Sequence, residues 1–375
     1  MHIQVLFPVT RHRHLRFIVC LLIVLSLTIV EEVNVGTAFI ALMNYYGHEV
    51  SIPIQIRRGA NTAISIVVVV QYASNKEQYR EAQDTVQCYA LHHRYPLHVI
   101  VVEENTTLSR TCPQNDFMFQ RHCVVAHLIF AWPEEWFLFL DADMAIINPN
   151  HLIEEYIPSD PTVHVVFYNR IFNHEVMAGS YLIRKSNYSR NFLIHWSDYE
   201  YKLPSSFHGS DNGALHSAIV SYEQPLQENS RKRCESFWAT SKDYDSLSIY
   251  EVCMQLILAS NSLQHILILQ KGTAWARDGW LTNSVWCDKD FILHGWQKRR
   301  KDKMSFARWH SPVVDGYWDK ALCGTPHAHL NWRYKDSFIA SAEAIQMRLD
   351  KAIRNVRGNF EGIQVVLERA NGAES

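Results

Sequence analysis

Through the middle of the chain, short apolar runs take turns with segments of helical period. Residues 64–70, ISIVVVV, are β-branched and show no alternation, the pattern of a strand covered on both faces in a parallel sheet. Ser74 and Glu77 have capping-box spacing, and Tyr79, Ala82, Val86 and Ala90 then recur on one helical face. Pro96 punctuates, 97–102 reads as a second strand, 116–130 as a second helix, and the run WFLFL after Glu135 as a third strand. This succession predicts an α/β fold, a doubly wound sheet with right-handed crossovers. Beyond it, 152–156 is expected as a short helix, 162–168 and 181–184 as strands, 191–199 and 250–258 as helices, and 265–269 as a strand. The polar stretch 222–245 reads as a loop. Ile339, Ala342, Leu349, Ala352 and Val356 form the stripe of a packing helix that ends near Gly358.

The third strand delivers two carboxylates, Asp141 and Asp143, at its far end. Acids of one sign at the edge of an apolar strand are costly unless a cation or hydrogen-bond donors neutralise them. That edge is also where ligands enter open α/β sheets. Roughly one Asp-x-Asp is expected by chance in a chain of this size, and this chain has three; Asp243/Asp245 and Asp288/Asp290 lie in polar surroundings, so context singles out the first.

Composition bounds the rest. With 375 residues, 47% hydrophobic and 20% charged, the chain is globular and long enough for one large domain. A net charge of -2 and a pI near 6.8 exclude the general basicity of a nucleic-acid binder. Residues 1–16 are basic and 17–32 largely apolar, ending in Glu31-Glu32. That run is shorter than the roughly 20 residues of an ordinary span, so it fits a short signal anchor or a signal-peptide core. The glutamate pair favours an uncleaved anchor, with 1–16 as cytoplasmic tail, 33–60 as an unassigned stem and the remainder in the lumen of the Golgi or endoplasmic reticulum, secretion being the alternative. Two glycosylation sequons, at Asn105 and Asn187, fit that compartment. Of eight cysteines, Cys20 lies in the apolar segment; the other seven predict disulfides and at least one unpaired thiol.

Two further polar clusters are placed to join the acid pair. His208-Gly-Ser-Asp211-Asn212-Gly213 reads as a loop and turn, and 291–298, FILHGWQK, is a short strand that ends in His294 and is followed by Gly295 and Lys298. Phe117, Arg121, Val124 and Leu128 fall on one helical stripe, which sets a guanidinium among core positions, where it needs an anion.

Together these features resemble the GT-A glycosyltransferases, nucleotide-sugar-dependent enzymes with an Asp-x-Asp metal site. The similarity is nearest to the retaining branch that includes glycogenin-like and fungal galactosyl/mannosyl transferases, and to a nematode family of unknown function placed in that superfamily. It covers roughly 64–298, in the ordered landmarks FLFLDADMAIINP, MAGSYLIRKSNYS, GSDNGAL and ILHGWQK. The resemblance implies a GT-A (Rossmann-like, doubly wound mixed sheet) domain over 61–325 with a helical extension at 326–375. It implies Mn2+ (or Mg2+) held by Asp141, Asp143 and His294, with Arg121 near the nucleotide or the first acid of the motif and Gly295 and Lys298 at the diphosphate. Asp211 and Asn212 would lie under the donor sugar, with Asp211 stabilising an oxocarbenium-like centre. The donor would be a UDP- or GDP-hexose, the acceptor a glycan or glycoprotein. Ala178 stands where many members carry Asn, and Arg299-Arg300 follow Lys298 in place of Pro-Trp.

Two other readings compete. A phosphatase of the HAD type would use Asp141 as nucleophile, but Met144-Ala145 follows where that family has Gly-Thr or Gly-Val. A lumenal nucleotide-sugar or glycan-binding protein that has lost turnover is the non-enzymatic alternative. The Trp-rich segment around 275–280, with Arg277 and Asp278, is either core or a wall against which an acceptor sugar stacks.

Overall fold

A computed structural model describes residues 49–51, 63–314 and 318–372. In chain order its elements are β1 (Glu49–Ser51), β2 (Ile64–Val70), α1 (Lys76–His93), β3 (Leu97–Val101), α2 (Thr106–Thr111), α3 (Phe117–Leu128), β4 (Trp136–Leu140), β5 (Met144–Ile146), β6 (Val165–Tyr168) and β7 (Ser180–Arg184). There follow α4 (Asn187–Ser197), α5 (Ser210–Glu223), α6 (Glu228–Trp238), α7 (Tyr244–Ser260), β8 (Ile266–Leu269), β9 (Ala276–Asp278), β10 (Ile292–His294), β11 (Arg333–Lys335) and α8 (Ala342–Gly372). The expected tail, anchor and most of the stem lie outside the described residues. Among the described residues no helix is long and apolar enough to cross a membrane.

The main sheet has the order β3-β2-β4-β7-β6-β8, with β2 parallel to β3 and β4, β7 antiparallel to both its neighbours, and β8 parallel to β6. β2 and β4 sit inside it and are buried at every residue, which accounts for their unbroken apolar sequences. Successive side chains supply opposite layers: Ile66, Val68, Leu138 and Leu140 pack in one core, and Val67, Val69, Phe137 and Phe139 in the other. A second sheet, β5-β10-β9, starts directly after the acid pair. This is the α/β mixed-sheet arrangement expected from the sequence.

Four local expectations are corrected. The stretch 222–245 contains α6, whose exposed face is polar and laced by Arg231–Glu235 and Glu228–Lys232 pairs one turn apart, while Trp238 stacks on Tyr250 at 4.7 Å and Cys234 is bonded to Cys253. Its polarity therefore marked a solvated helix, not a loop. Asp211 and Asn212 are not in a loop either, but in the first turn of α5. Helix α8 continues through Gly358, which has open space around it and costs only about 1 kcal/mol in a helix. Ser74 lies in a 3-10 turn, Ala73–Asn75, and α1 starts without a side-chain cap from Asn75.

The segment after 325 is tied into the same core. Tyr334 is fully buried and its hydroxyl donates to the Ile147 carbonyl, and the Trp332 indole donates to the Ile146 carbonyl at 3.1 Å. Disulfides join Cys88–Cys323, Cys112–Cys123 and Cys234–Cys253, and Cys287 is a buried free thiol. Trp275, Trp286, Trp296 and Trp309 are core residues, each 1% exposed.

Candidate active site

Backbone geometry brings the acids and the histidine together. The chain turns at Asp141, where the Met144 amide donates to the Asp141 carbonyl at 3.0 Å, and runs straight into β5. β10 pairs antiparallel with β5, so that His294 lies opposite Met144, and parallel with β9, so that it also lies beside Asp278. Gly295 then adopts φ +105°, a backbone shape open to glycine, and the amides of Gly295 and Trp296 both donate to the Asp143 carbonyl, at 3.1 and 2.9 Å. One ligand atom from each of Asp141, Asp143 and His294 lies within 4.8 Å of the others. Two carboxylate oxygens and an imidazole nitrogen suit a hard to borderline divalent cation such as Mn2+. A second cluster, Cys112, Cys123 and His127, holds its sulfurs in a disulfide and offers no thiolate.

Each member is held by a partner of its own. His294 meets Asp278 Oδ1 through Nδ1 at 2.8 Å, which leaves Nε2 facing Asp143 Oδ1 at 3.3 Å. The Gln297 amide donates to Asp143 Oδ2 at 2.6 Å. Gly179 leaves no room behind Asp141, because a Cβ there would lie 2.3 Å from Asp141 Oδ2. Arg121 is 4% exposed and forks between two acids, one nitrogen pairing with Asp141 and the other reaching Asp211 Oδ2 at 2.6 Å. His122 lies beneath, its Nε2 3.1 Å from Asp211 Oδ2 and its ring stacked on Trp196 at 3.6 Å.

The electrostatics divide the acids. Burial raises the pKa of Asp141 to about 6, aided by Asp143 and opposed by Arg121. For Asp143 burial is outweighed by His294 and the Gln297 amide, so its carboxyl is held below the usual range. Burial lowers His294, but Asp143 and Asp278 more than compensate and push it up to about 10. Burial lowers His122 to about 4 despite Asp211, so this imidazole is neutral and donates to the carboxylate.

These groups form the floor of a cleft of about 1090 Å³. Residues 69–71 at the end of β2, with Tyr79 of α1, line one side; Asp211, Asn212, residues 170 and 172–175 and one stripe of α7 line the other. The Asn212 side chain accepts from the Ala178 amide at 3.0 Å, fixing the start of α5 to the entry of β7. Lys298 does not join the cleft. Its ammonium points to Glu77 at 3.6 Å, and the neighbouring Arg299 and Arg300 line the cleft instead. One acid of each other pair has a structural duty: Asp243 caps α7 by accepting from the Ser246 amide at 2.9 Å, and Asp290 pairs with Arg277, while Asp245 lines the cleft.

Sequence reasoning missed Asp278, Gln297 and His122. Gln297 stands beside the quoted His-Gly pair, and Asp278 lies in the flagged Trp-rich segment. His122, one of 20 histidines, carried no signal except its place next to Arg121.

Among solved structures the chain is similar to a glycosyltransferase involved in glycosylation of the major capsid of PBCV-1, at 14% identity and a TM-score of 0.35, over 62% of this chain and 92% of that one. It is also similar to the apo form of the glycosyltransferase GlyE of Streptococcus pneumoniae TIGR4, at 14% identity and 0.31, over 55% of this chain and 65% of that one. These likenesses are weak, and the functional reading rests on the site's own geometry. No curated protein matches the sequence. A family model described as "Protein of unknown function, DUF273" matches residues 86–310, well over half of the chain and a span that holds Arg121, both acids of the motif, Asp211 and His294. The chain therefore belongs to the DUF273 family.

Proposed function

We propose that this protein is a metal-dependent glycosyltransferase that moves a hexose from a UDP- or GDP-sugar to an acceptor with retention of configuration. The observation that carries the reading is the meeting of Asp141, Asp143 and His294 at the floor of a large cleft, from sequence positions some 150 residues apart. Asp141, Asp143 and His294 Nε2 would hold Mn2+ (or Mg2+), which supplies Lewis acidity to the diphosphate leaving group. Asp143 and Asp278 favour the protonated imidazole of His294, and Nε2 would have to be free of its proton to serve as a ligand. Asp278 keeps the imidazole turned so that Nε2 faces the site. Arg121 balances Asp141 and Asp211, and Arg299 and Arg300 at the cleft supply positive charge for phosphate oxygens, the role the resemblance had given to Lys298.

The nucleoside side is the wall of residues 69–71 and Tyr79; Asp211 and Asn212 lie on the donor-sugar side. Both contacts of Asp211 with Arg121 and His122 are made through Oδ2, leaving Oδ1 for a positive charge developing on the sugar. In the transfer, the bond from the anomeric carbon to the diphosphate breaks, a bond to an acceptor hydroxyl forms on the same face, and the departing phosphate takes the hydroxyl proton. The three disulfides support a body folded in an oxidising compartment, as a lumenal or secreted protein would be. A HAD-type phosphatase is disfavoured because Asp141, its nucleophile, is held by Arg121.

The test is a thermal-shift panel of the lumenal part against UDP and GDP, with and without Mn2+, for wild type and Asp143→Ala. Saturation at 100 times Kd corresponds to about 2.7 kcal/mol of stabilisation, expected for one nucleotide, only with metal, and absent in the variant. Stabilisation by neither nucleotide sinks the proposal. Metal-dependent binding without release of sugar from any nucleotide-hexose, to water or to acceptor, would instead favour the binding protein that has lost turnover, the reading motivated by Ala178.

A further inference from the structure

The cleft has a second half that donor binding does not use. Three aromatic rings line the cleft: Phe172, just after β6; Trp280, just after β9; and Phe306, beyond Arg299 and Arg300. Phe172 and Trp280 meet nearly edge to face with centroids 4.7 Å apart, and Trp280 and Phe306 are tilted at 5.7 Å. Unlike the four core tryptophans, Trp280 is only half-buried, and Phe306 is 77% exposed. Polar groups adjoin this apolar ledge. The Arg170 guanidinium lies 4.5 Å over the Phe172 ring while pairing with Glu175 and Asp278. Glu251 of α7 lines the same cleft and is 2% exposed. Burial and the neighbouring Glu175 raise its pKa, opposed by Arg170 and Lys271, and its carboxyl oxygens are hydrogen-bonding groups for a ligand hydroxyl. Asn355 and Asn359 of α8 stand at the rim.

Clustered aromatics beside a buried carboxyl suit a molecule with one apolar face and many hydroxyls. A pyranose ring is such a molecule, because its axial C–H bonds carry partial positive charge toward the negative face of an aromatic ring. A nucleobase could also stack, but the donor's base belongs to the opposite wall, at the end of β2. We infer that this half is the acceptor site and that the acceptor is a saccharide, its ring lying on Trp280 between Phe172 and Phe306 and one hydroxyl bonded to Glu251. The inference rests on the glycosyltransferase reading and deepens it.

The test measures binding of the lumenal part, in Mn2+ with UDP or GDP, to surfaces bearing glycans that end in α-mannose, β-galactose, β-glucose or N-acetylglucosamine, with immobilised Ser/Thr peptides and a lipid film as controls. Wild type should be retained on at least one glycan class. Trp280→Ala and Glu251→Leu should each weaken retention at least tenfold, and Phe306→Ala at least fivefold. Glu251→Gln, which keeps hydrogen-bonding groups, should restore most of the loss seen with leucine. Phe306→Ala guards against misfolding, since its side chain is already in solvent, and thermal unfolding checks each variant. Retention on no glycan, retention confined to peptide or lipid, or glycan retention unchanged in Phe306→Ala and Glu251→Leu overturns the inference. Metal-dependent nucleotide binding by wild type, measured alongside, shows whether the donor reading stands or falls by itself.

Discussion

Replacing Arg121 by Met tests the electrostatic frame of the site without any assumption about substrate. The guanidinium is 5% exposed at its side chain and serves Asp211, 2% exposed, and Asp141, 22% exposed. Removing one partner of a buried ion pair costs about 3–5 kcal/mol, because the remaining charge is stranded. Asp141 opens to the cleft and can take up a proton, so its share is small; Asp211, left with only a neutral His122, carries most of the loss. We expect Arg121→Met to destabilise the metal-free protein by about 3 kcal/mol. Arg121→Lys should fall between, since a single ammonium cannot span two acids that the fork reaches with separate nitrogens. Adding Asp211→Asn to Arg121→Met should recover more than about 1 kcal/mol relative to additivity. Urea unfolding in EDTA, followed by tryptophan fluorescence, reads these differences as shifts in midpoint at constant slope. A loss below about 0.5 kcal/mol for Arg121→Met, or strictly additive costs in the double variant, would refute the reasoning.

Three other outcomes follow from the same geometry. Gly179→Ala places a methyl 2.3 Å from Asp141 Oδ2 and should displace that carboxylate, lowering Mn2+ affinity at least about tenfold in an EPR titration while the far-UV spectrum is unchanged; unaltered affinity would remove Asp141 from the ligand set. Asp278→Asn removes the carboxylate that orients His294 and should weaken Mn2+ about 10- to 100-fold in the same titration, against no change if Asp278 is only structural. His122 has a folded pKa of about 4, below its ordinary value of 6.5, so between these values the unfolded chain binds more protons. Its contribution, on the order of 3 kcal/mol, is therefore complete above pH 6.5 and lost as pH falls toward 4; His122→Asn should flatten the stability profile in that window, and an unchanged profile would show that another group sets it.

What the chain's own pattern determined is the local part of this protein. Runs such as 64–70 and 136–140 have one way to satisfy both their apolar side chains and their backbone groups, as central strands, and the helix between them follows from a stripe of period 3.6. The acid pair was legible because charge at the end of such a strand is anomalous wherever the strand leads. Helix α6 was not, since a solvated helix joined to its neighbour by a disulfide looks like a polar loop until the partner cysteine is in place. Only the tertiary structure decided which of the polar residues meet. The register of β10 between β5 and β9 puts His294 beside Asp143 and Asp278, and the direction of one flexible side chain sends Lys298 to Glu77 and away from the cleft. Contacts across some 150 to 220 residues, such as His294 with Asp143 and Lys298 with Glu77, depend on pairing and packing summed over the whole sheet, which no local window contains.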